Sequence, residues 1–336
     1  YKLSPIICKA IKPKLSAGRV QSIALKLVVD REHEIRDFKP EEYWVVSADV
    51  SKQNEDFAFK ATLTTKNGKK IKPTSKEEVE EIAQNLQGAE FVVGKIDKKK
   101  TKSNPLPPYT TSTMQQDALN KLGMSLAKTS KDAQVLNEGV DIQGQGKTAL
   151  ITYIRTDSTR VSENAQKAAR EYVTKTYGKD YIPAKANVYT TKKNAQDAHE
   201  AIRPISVEMT PESVKGSLKT DEYKLYKLIY ERFLASQMTS ATYDSVAVEI
   251  NANEFMFKST GRTLDFAGYT IVYKSYSENE EEDLKIPKLE VGEKLVLKKL
   301  NQDQKFTKPP ARYTEASLVK VMEEKGIGRP ATYAPT

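Results

Sequence analysis

The chain has 336 residues, 38% hydrophobic and 29% charged, with no apolar run near the length of a membrane span and no signal-peptide pattern. Cys8 is the only cysteine, which excludes an intrachain disulfide and a multi-cysteine zinc site and fits a reducing, intracellular compartment. With 54 Lys and Arg against 45 Asp and Glu, the net charge is +9 and points towards a polyanionic partner.

Residues 1–40 hold nine basic and four acidic residues. Within them, "KLSAGRVQSIALKLVVDREHEIR" (14–36) predicts a helix with Ser16 as N-cap and Ile23, Leu27 and Ile35 among its apolar positions. His33 on this helix is expected to be exposed. "EYWVVSADVS" and the alternating "FAFKATLTT" read as strands, and Asn67-Gly68 supplies a hairpin turn. A short helix over "SKEEVEEIAQNLQG" is closed by Gly88, and "EFVVGKID" is a strand. "KKKTKSNPLPPY" (98–109) reads as a basic, proline-bearing linker and a domain boundary.

Two helices follow, over 113–122 with Ser112 and Thr113 as caps, and from about Ser130 to Gly139. A β-like segment spans 149–155, and helices recur at 162–177 and 220–238. In the last, Tyr223, Tyr226, Ile229, Tyr230 and Phe233 form one face, a spacing that fits core packing better than base stacking. Strands return in "TYDSVAVEINANEFMF" and "AGYTIVYKS", and the acidic run at 278–283 is expected in a solvated hairpin loop. A final helix spans 314–325 with Thr314 as N-cap. The fold class is therefore mixed α and β and multidomain, with no internal repeat.

Two glycine motifs are decoys. "GQGKT" (144–148) has Asp141 where a phosphate loop needs glycine, and reads as a flexible loop. "GIGRP" (326–330) lacks a third glycine and follows a helix rather than a strand.

In "ALITYIRTDSTRVS" (149–162), an extended chain would place Tyr153, Arg155 and Asp157 on one side. That is either a buried tyrosine beside a surface ion pair, or a nucleophile beside a phosphate clamp. An ordinary phenol has a pKa of about 10, so ionising it at neutral pH costs about 4 kcal/mol. A guanidinium nearby favours the phenolate and can brace a phosphoryl oxygen.

Five stretches, in order, resemble the type IA DNA topoisomerases: "LSAGRVQS" (15–22), "PYTTSTMQQDA" (108–118), "LITYIRTDST" (150–159), "AHEAIRP" (198–204) and "PPARYTEASLVKVMEEKGIGRPATY" (309–333). The bacterial topoisomerase I branch is favoured over topoisomerase III because Ile154, not proline, follows the tyrosine. The resemblance implies that Tyr153 attacks a phosphodiester of single-stranded DNA and becomes linked to the 5′ end of the break, with Arg155 supporting phosphate and tyrosine. It implies DNA contacts by His199 and Arg203, by Arg19, Gln21 and Ser22 at a helix start, and by Arg329 and Thr332. Without the family, these residues read as a structural histidine, a local Glu200–Arg203 ion pair, a capped surface helix and a stiff connector.

The resemblance also implies a toroidal arch of nested insertions. An outer helical domain (1–40 and 307–336, cut short) encloses a β-rich domain (41–107 and 241–306), which encloses the α-rich tyrosine domain (108–240). It implies ATP-independent relaxation of negative supercoils by a monomeric, cytoplasmic bacterial enzyme. Magnesium would be bound by a Toprim domain outside this chain, which reads as a piece of something longer. The alternatives are a topoisomerase III-type decatenase and a noncatalytic single-strand-binding module.

Overall fold

The computed structural model describes residues 3–13, 18–189, 199–273 and 285–336. The elements in chain order begin with α1 (Leu3–Ala10), α2 (Arg19–Asp37), β1 (Glu42–Lys52), β2 (Ala58–Lys66), β3 (Lys69–Lys70), α3 (Lys76–Asn85) and β4 (Phe91–Ser103). The middle of the chain forms α4 (Thr111–Leu122), α5 (Leu126–Glu138), β5 (Val140–Ile142), β6 (Gly146–Thr148), α6 (Glu163–Tyr177), the single turn α7 (Pro211–Val214) and α8 (Thr220–Ser236). The last are β7 (Ala241–Ala252), β8 (Phe255–Phe266), β9 (Lys294–Phe306) and α9 (Glu315–Glu324). The chain is mixed α and β, as its sequence implies.

All the long strands are antiparallel members of one sheet, ordered β1-β9-β4-β7-β8-β2-β3. Because β1 also pairs with β2, that order closes on itself. Inward positions alternate along the strands, as in Phe59, Ala61 and Leu63 of β2 or Phe255 and Phe257 of β8. They form a core with Val79, Ile82 and Leu86 from the region of α3, whose N-cap Ser75 accepts from the Glu78 amide. The Asn67-Gly68 turn has positive φ at both positions (51° and 74°), the geometry of a two-residue hairpin.

The sheet corrects two expectations. Residues 98–103 are not a linker but the far half of β4, paired with β7 from Lys98↔Val246 to Ser103↔Ala241. A backbone ladder needs only a partner strand, so lysines can occupy it with their charges in solvent. "AGYTIVYKS" is not a strand: Gly268–Ile271 is a 3-10 turn, and residues 274–275 lie outside the described residues. Gly268, at φ 50°, passes so close to the chain that a Cβ would sit 2.5 Å from the Thr239 and Ser240 carbonyl oxygens. The acidic run and Ser16 also lie outside the described residues.

A second core gathers α4, α5, α6 and α8. Tyr226, Ile229, Tyr230 and Phe233 are buried in it, so the aromatic face of α8 is core. The Tyr226 and Tyr230 hydroxyls each donate to a backbone carbonyl, of Met209 and Val207, at 2.6 Å. At the end of α8, Asn187 Nδ2 donates to the Ser236 and Met238 carbonyls and the Tyr189 hydroxyl to that of Ser236, satisfying acceptors that a helix end leaves unpaired. Helix α4 starts two residues earlier than expected, capped by Thr110 with Thr113 reciprocating, so Ser112 is inside the helix. Helix α5 starts four residues before Ser130, behind Ser125 as N-cap. The "GQGKT" stretch is not a loop throughout: Gly144 and Gln145 lie in the hairpin turn, and Gly146–Thr148 is β6, paired with β5.

A third, smaller core joins α2, the start of α5, α9 and the turn after it: Ala24, Leu126, Val319, Met322 and Tyr333. Glu315 Oε2 accepts from the Leu126 amide (3.1 Å), so a carboxylate of α9 caps the start of α5. Thr314 caps α9, as the sequence predicts. No helix among the described residues is long and apolar enough to cross a membrane.

Candidate active site

The segment 150–158 is not a regular strand; among the described residues its one ladder contact is the bridge Ile151↔Pro204. Its side chains alternate nonetheless: Ile154, Thr156 and Ser158 are buried, while Tyr153 is 48% exposed and Arg155 is exposed. Three neighbours hold the backbone. From α4, the Thr111 hydroxyl donates its one proton to the Ile154 carbonyl (2.6 Å), with the Thr156 carbonyl also in reach (3.0 Å), and accepts from the Thr156 amide (3.0 Å). At the end of α5, Asn137 donates to the Ile151 carbonyl and the Leu136 carbonyl accepts from the Leu150 amide.

The third neighbour is the "HEAIRP" segment. Ile202 pairs with Tyr109, and the Thr152 hydroxyl donates to the Ala201 carbonyl (2.7 Å) and accepts from the Arg203 amide (3.0 Å). This pairing sets His199 beside the tyrosine: the two rings lie 5.2 Å apart between centroids, at 39°. His199 and Tyr153, remote in sequence, therefore share one surface.

Among the described residues, neither Arg155 nor Asp157 makes a hydrogen bond or ion pair. The reading of a buried tyrosine beside a surface ion pair does not describe this geometry. Arg203 differs. Its side chain is 12% exposed, and it donates to Glu200 Oε2 (2.8 Å), the Pro204 carbonyl (2.9 Å) and Ser162 Oγ (3.5 Å). The local ion pair is what forms here, and it stiffens the segment that carries His199.

The turn after α9 approaches from the other side. Asp157 and Glu323 both raise the phenol of buried Tyr333, whose pKa is pushed up to about 12, first by burial. Arg329 opposes them; it is exposed and makes no side-chain hydrogen bond or ion pair among the described residues. The Thr332 hydroxyl is engaged locally, accepting from the Arg329 amide (2.8 Å) and donating to its carbonyl (2.9 Å). Gly328, at φ 81°, lies against Thr332, Tyr333 and Val20, which places the start of α2 beside this turn. There Arg19 and Gln21 are exposed, Gly18 is the N-cap without a side-chain cap, and Ser22 Oγ donates back to the Gly18 carbonyl (3.1 Å). His33 is exposed, as expected.

Sequence reading misses Thr111 as a clamp on the tyrosine segment and Lys131 as an exposed cation at a cavity beside Arg155. The "TTST" run signals only a helix start; its reach to residues 154 and 156 is a tertiary contact. Among the described residues, no group of three or more His, Cys, Asp or Glu side chains is gathered to hold a metal ion.

A family model described as DNA topoisomerase matches residues 1–336. The solved structure of full-length topoisomerase I from Thermotoga maritima is similar over 100% of this chain, at 40% identity and a TM-score of 0.81. This chain covers 52% of that one, about half its length.

Proposed function

This chain belongs to the type IA DNA topoisomerase family, and on that premise we propose that Tyr153 is the nucleophile that breaks one strand of DNA. The phenol gives up its proton as its oxygen attacks a backbone phosphorus, the bond to the 3′ oxygen breaks, and that oxygen takes up a proton and leaves as a hydroxyl. The 5′ end stays esterified to the tyrosine, so resealing is the reverse transfer and needs no ATP. Arg155 braces the phosphoryl oxygens and stabilises their charge. His199, beside the ring, contacts the strand's phosphate.

The observation that carries this reading is a half-exposed phenol on a rigidly hydrogen-bonded segment, with a histidine ring at 5.2 Å and an unpaired arginine two residues on. An exposed tyrosine without buried partners contributes little to stability, whereas a reacting group must be accessible and held in place. Arg19, Gln21, Ser22, Arg329 and Thr332 belong to the strand's path, reached by backbone groups where their side chains are already bonded. Arg203 acts by positioning His199 while it is paired with Glu200.

In the longer protein, the parts 1–40 with 307–336, 41–107 with 241–306, and 108–240 form the nested arch, and lifting the tyrosine domain opens a gate for strand passage. The protein relaxes negatively supercoiled DNA as a cytoplasmic bacterial monomer. Magnesium would be held by carboxylates of a Toprim domain, and among the described residues no group of three or more His, Cys, Asp or Glu side chains is gathered to hold it.

The test is a single-stranded oligonucleotide labelled at its 3′ end, incubated with the intact protein and magnesium and run on a denaturing gel. Label should travel with the wild-type protein and not with Tyr153→Phe, while both retain noncovalent binding. Undiminished adduct from Tyr153→Phe would falsify the assignment. Binding without adduct from the wild type would make the protein a single-strand-binding scaffold.

A further inference from the structure

We propose that Tyr273 is a positioning residue for strand cleavage: through one carboxylate oxygen of Asp117 it fixes the residues flanking the sheet to Tyr109, the point from which both the tyrosine segment and the His199 segment are held. The inference rests on the reading above that Tyr153 is the nucleophile. Tyr109 is fully buried just before α4. Its carbonyl accepts from the Ile202 amide (2.8 Å), on the segment that carries His199. The next two residues are Thr110, the N-cap of α4, and Thr111, whose amide donates to the Thr156 carbonyl (2.9 Å) and whose hydroxyl donates to that of Ile154 (2.6 Å). A shift of Tyr109 therefore moves both segments that set Tyr153 beside His199.

Tyr273 belongs to the flank of the sheet. It follows the turn Gly268–Ile271, in which the Tyr269 hydroxyl bonds Ser103 Oγ at the end of β4 (2.8 Å) and the Tyr269 amide donates to the Thr239 carbonyl just before β7 (2.9 Å). The Tyr273 amide in turn donates to the Tyr269 carbonyl (3.1 Å). Between the two sides stands Asp117 Oδ2, which accepts from the hydroxyl of Tyr109 (2.6 Å) and from that of Tyr273. Arg232 Nη1 donates to the Tyr273 oxygen (2.8 Å), so the Tyr273 proton is aimed at Asp117. Burial pushes the Tyr273 phenol above its ordinary range, which keeps it a donor.

Directionality separates this link from ordinary packing. Apolar contact would hold helix and sheet together without fixing an angle, because the hydrophobic effect has no preferred direction. Hydrogen bonds have preferred distances and angles, and in a buried place they act more strongly than in water. The orientation of Tyr109 is therefore set from the sheet as well as from α4. A reacting group misplaced by about 1 Å can lose about a hundredfold in rate. A smaller shift, passed from Tyr109 through Thr111 and Ile202, can slow cleavage without any change at the reacting atoms themselves.

The test uses the intact protein with magnesium and the 3′-labelled oligonucleotide at saturating concentration. It reads the single-turnover rate of adduct formation beside the noncovalent dissociation constant. Tyr273→Phe should form adduct about tenfold more slowly than wild type, with the dissociation constant unchanged. Tyr109→Phe should do the same, and the double variant should be no slower than the slower single one, because both act through one carboxylate. Ser259→Ala is the control. It removes a buried hydroxyl that donates to the Lys60 carbonyl (2.7 Å) within the sheet, and should lower stability with no change in rate. Where Tyr273→Phe does not fold, Tyr109→Phe, which breaks the other half of the same link, decides by the same criterion. A folded variant slowed no more than Ser259→Ala, or losses that multiply in the double variant, overturns the inference and leaves Tyr153 as the nucleophile. A wild type that forms no adduct overturns the nucleophile reading, and this inference with it.

Discussion

The Thr111 hydroxyl serves two carbonyls and one amide of the tyrosine segment, so a single buried side chain fixes the backbone on both sides of Arg155. Replacing it with the near-isosteric valine removes both the donated and the accepted bond and keeps the volume. Buried groups left unpaired cost about 1–3 kcal/mol. Thr111→Val should therefore lower stability by about that amount. It should also slow adduct formation by the intact protein while leaving its affinity for single strands unchanged, because the loss is of positioning. Equal adduct rates in single-turnover gels for valine and threonine would show that the segment is held without this hydroxyl.

Tyr333 gives a second prediction at this scale, and its sign follows from linkage. Its folded-state pKa, about 12, lies above the ordinary phenol value, so the stability tied to its protonated form is intact below about pH 10 and lost as pH rises towards 12. Denaturation of wild type and Tyr333→Phe compared from pH 8 to 12 should show the wild type losing ground to the variant only above about pH 10. A constant difference across that range would mean that the phenol titrates alike in both states.

Among the elements, the joint where the helices meet the residues flanking the sheet is tied by buried polar contacts. Asp117 of α4 accepts from the hydroxyls of Tyr109 (2.6 Å) and Tyr273, and Arg232 of α8 donates to Tyr273 (2.8 Å) and to the Pro107 carbonyl (2.7 Å). Lys121 stacks over Tyr273 at 3.6 Å. Burial and the Asp117 charge push the Tyr109 phenol well above its ordinary value, so it remains a donor. Arg232→Met leaves the Asp117 carboxylate without its cation and should cost about 3–5 kcal/mol in chemical denaturation. Adding Asp117→Asn should recover part of that loss, since the uncompensated charge is then gone. No recovery in the double variant would place the cost in lost packing of the arginine.

For the molecule as a whole, the described residues form three distinct hydrophobic cores, and the helical core reaches the sheet through Ala241 and Tyr243 at the start of β7 and through Tyr269 and Tyr273 after β8. Cores with few shared residues need not melt together. Scanning calorimetry should give a calorimetric enthalpy above the van't Hoff value. Agreement of the two would show that the joint couples the cores into one cooperative unit.

The sequence by itself determined the element types with strong local causes. The aromatic face of α8, the Thr314 cap and the Asn67-Gly68 turn are legible because helical spacing, capping chemistry and positive φ act within a few residues. It also carried the five ordered motifs, and with them the family. Tertiary structure decided the rest. It made a strand of the lysine run at 98–103 by supplying β7 as a partner, and turned "AGYTIVYKS" at Gly268 because the chain crosses there at contact distance. It spent Arg203 on Glu200, left Arg155 unpaired, and set His199 against Tyr153. Apart from the Glu200–Arg203 pair, which lies three residues apart and is legible as a local one, those outcomes depend on contacts between residues dozens of positions apart, and no local pattern of charge or hydrophobicity encodes them.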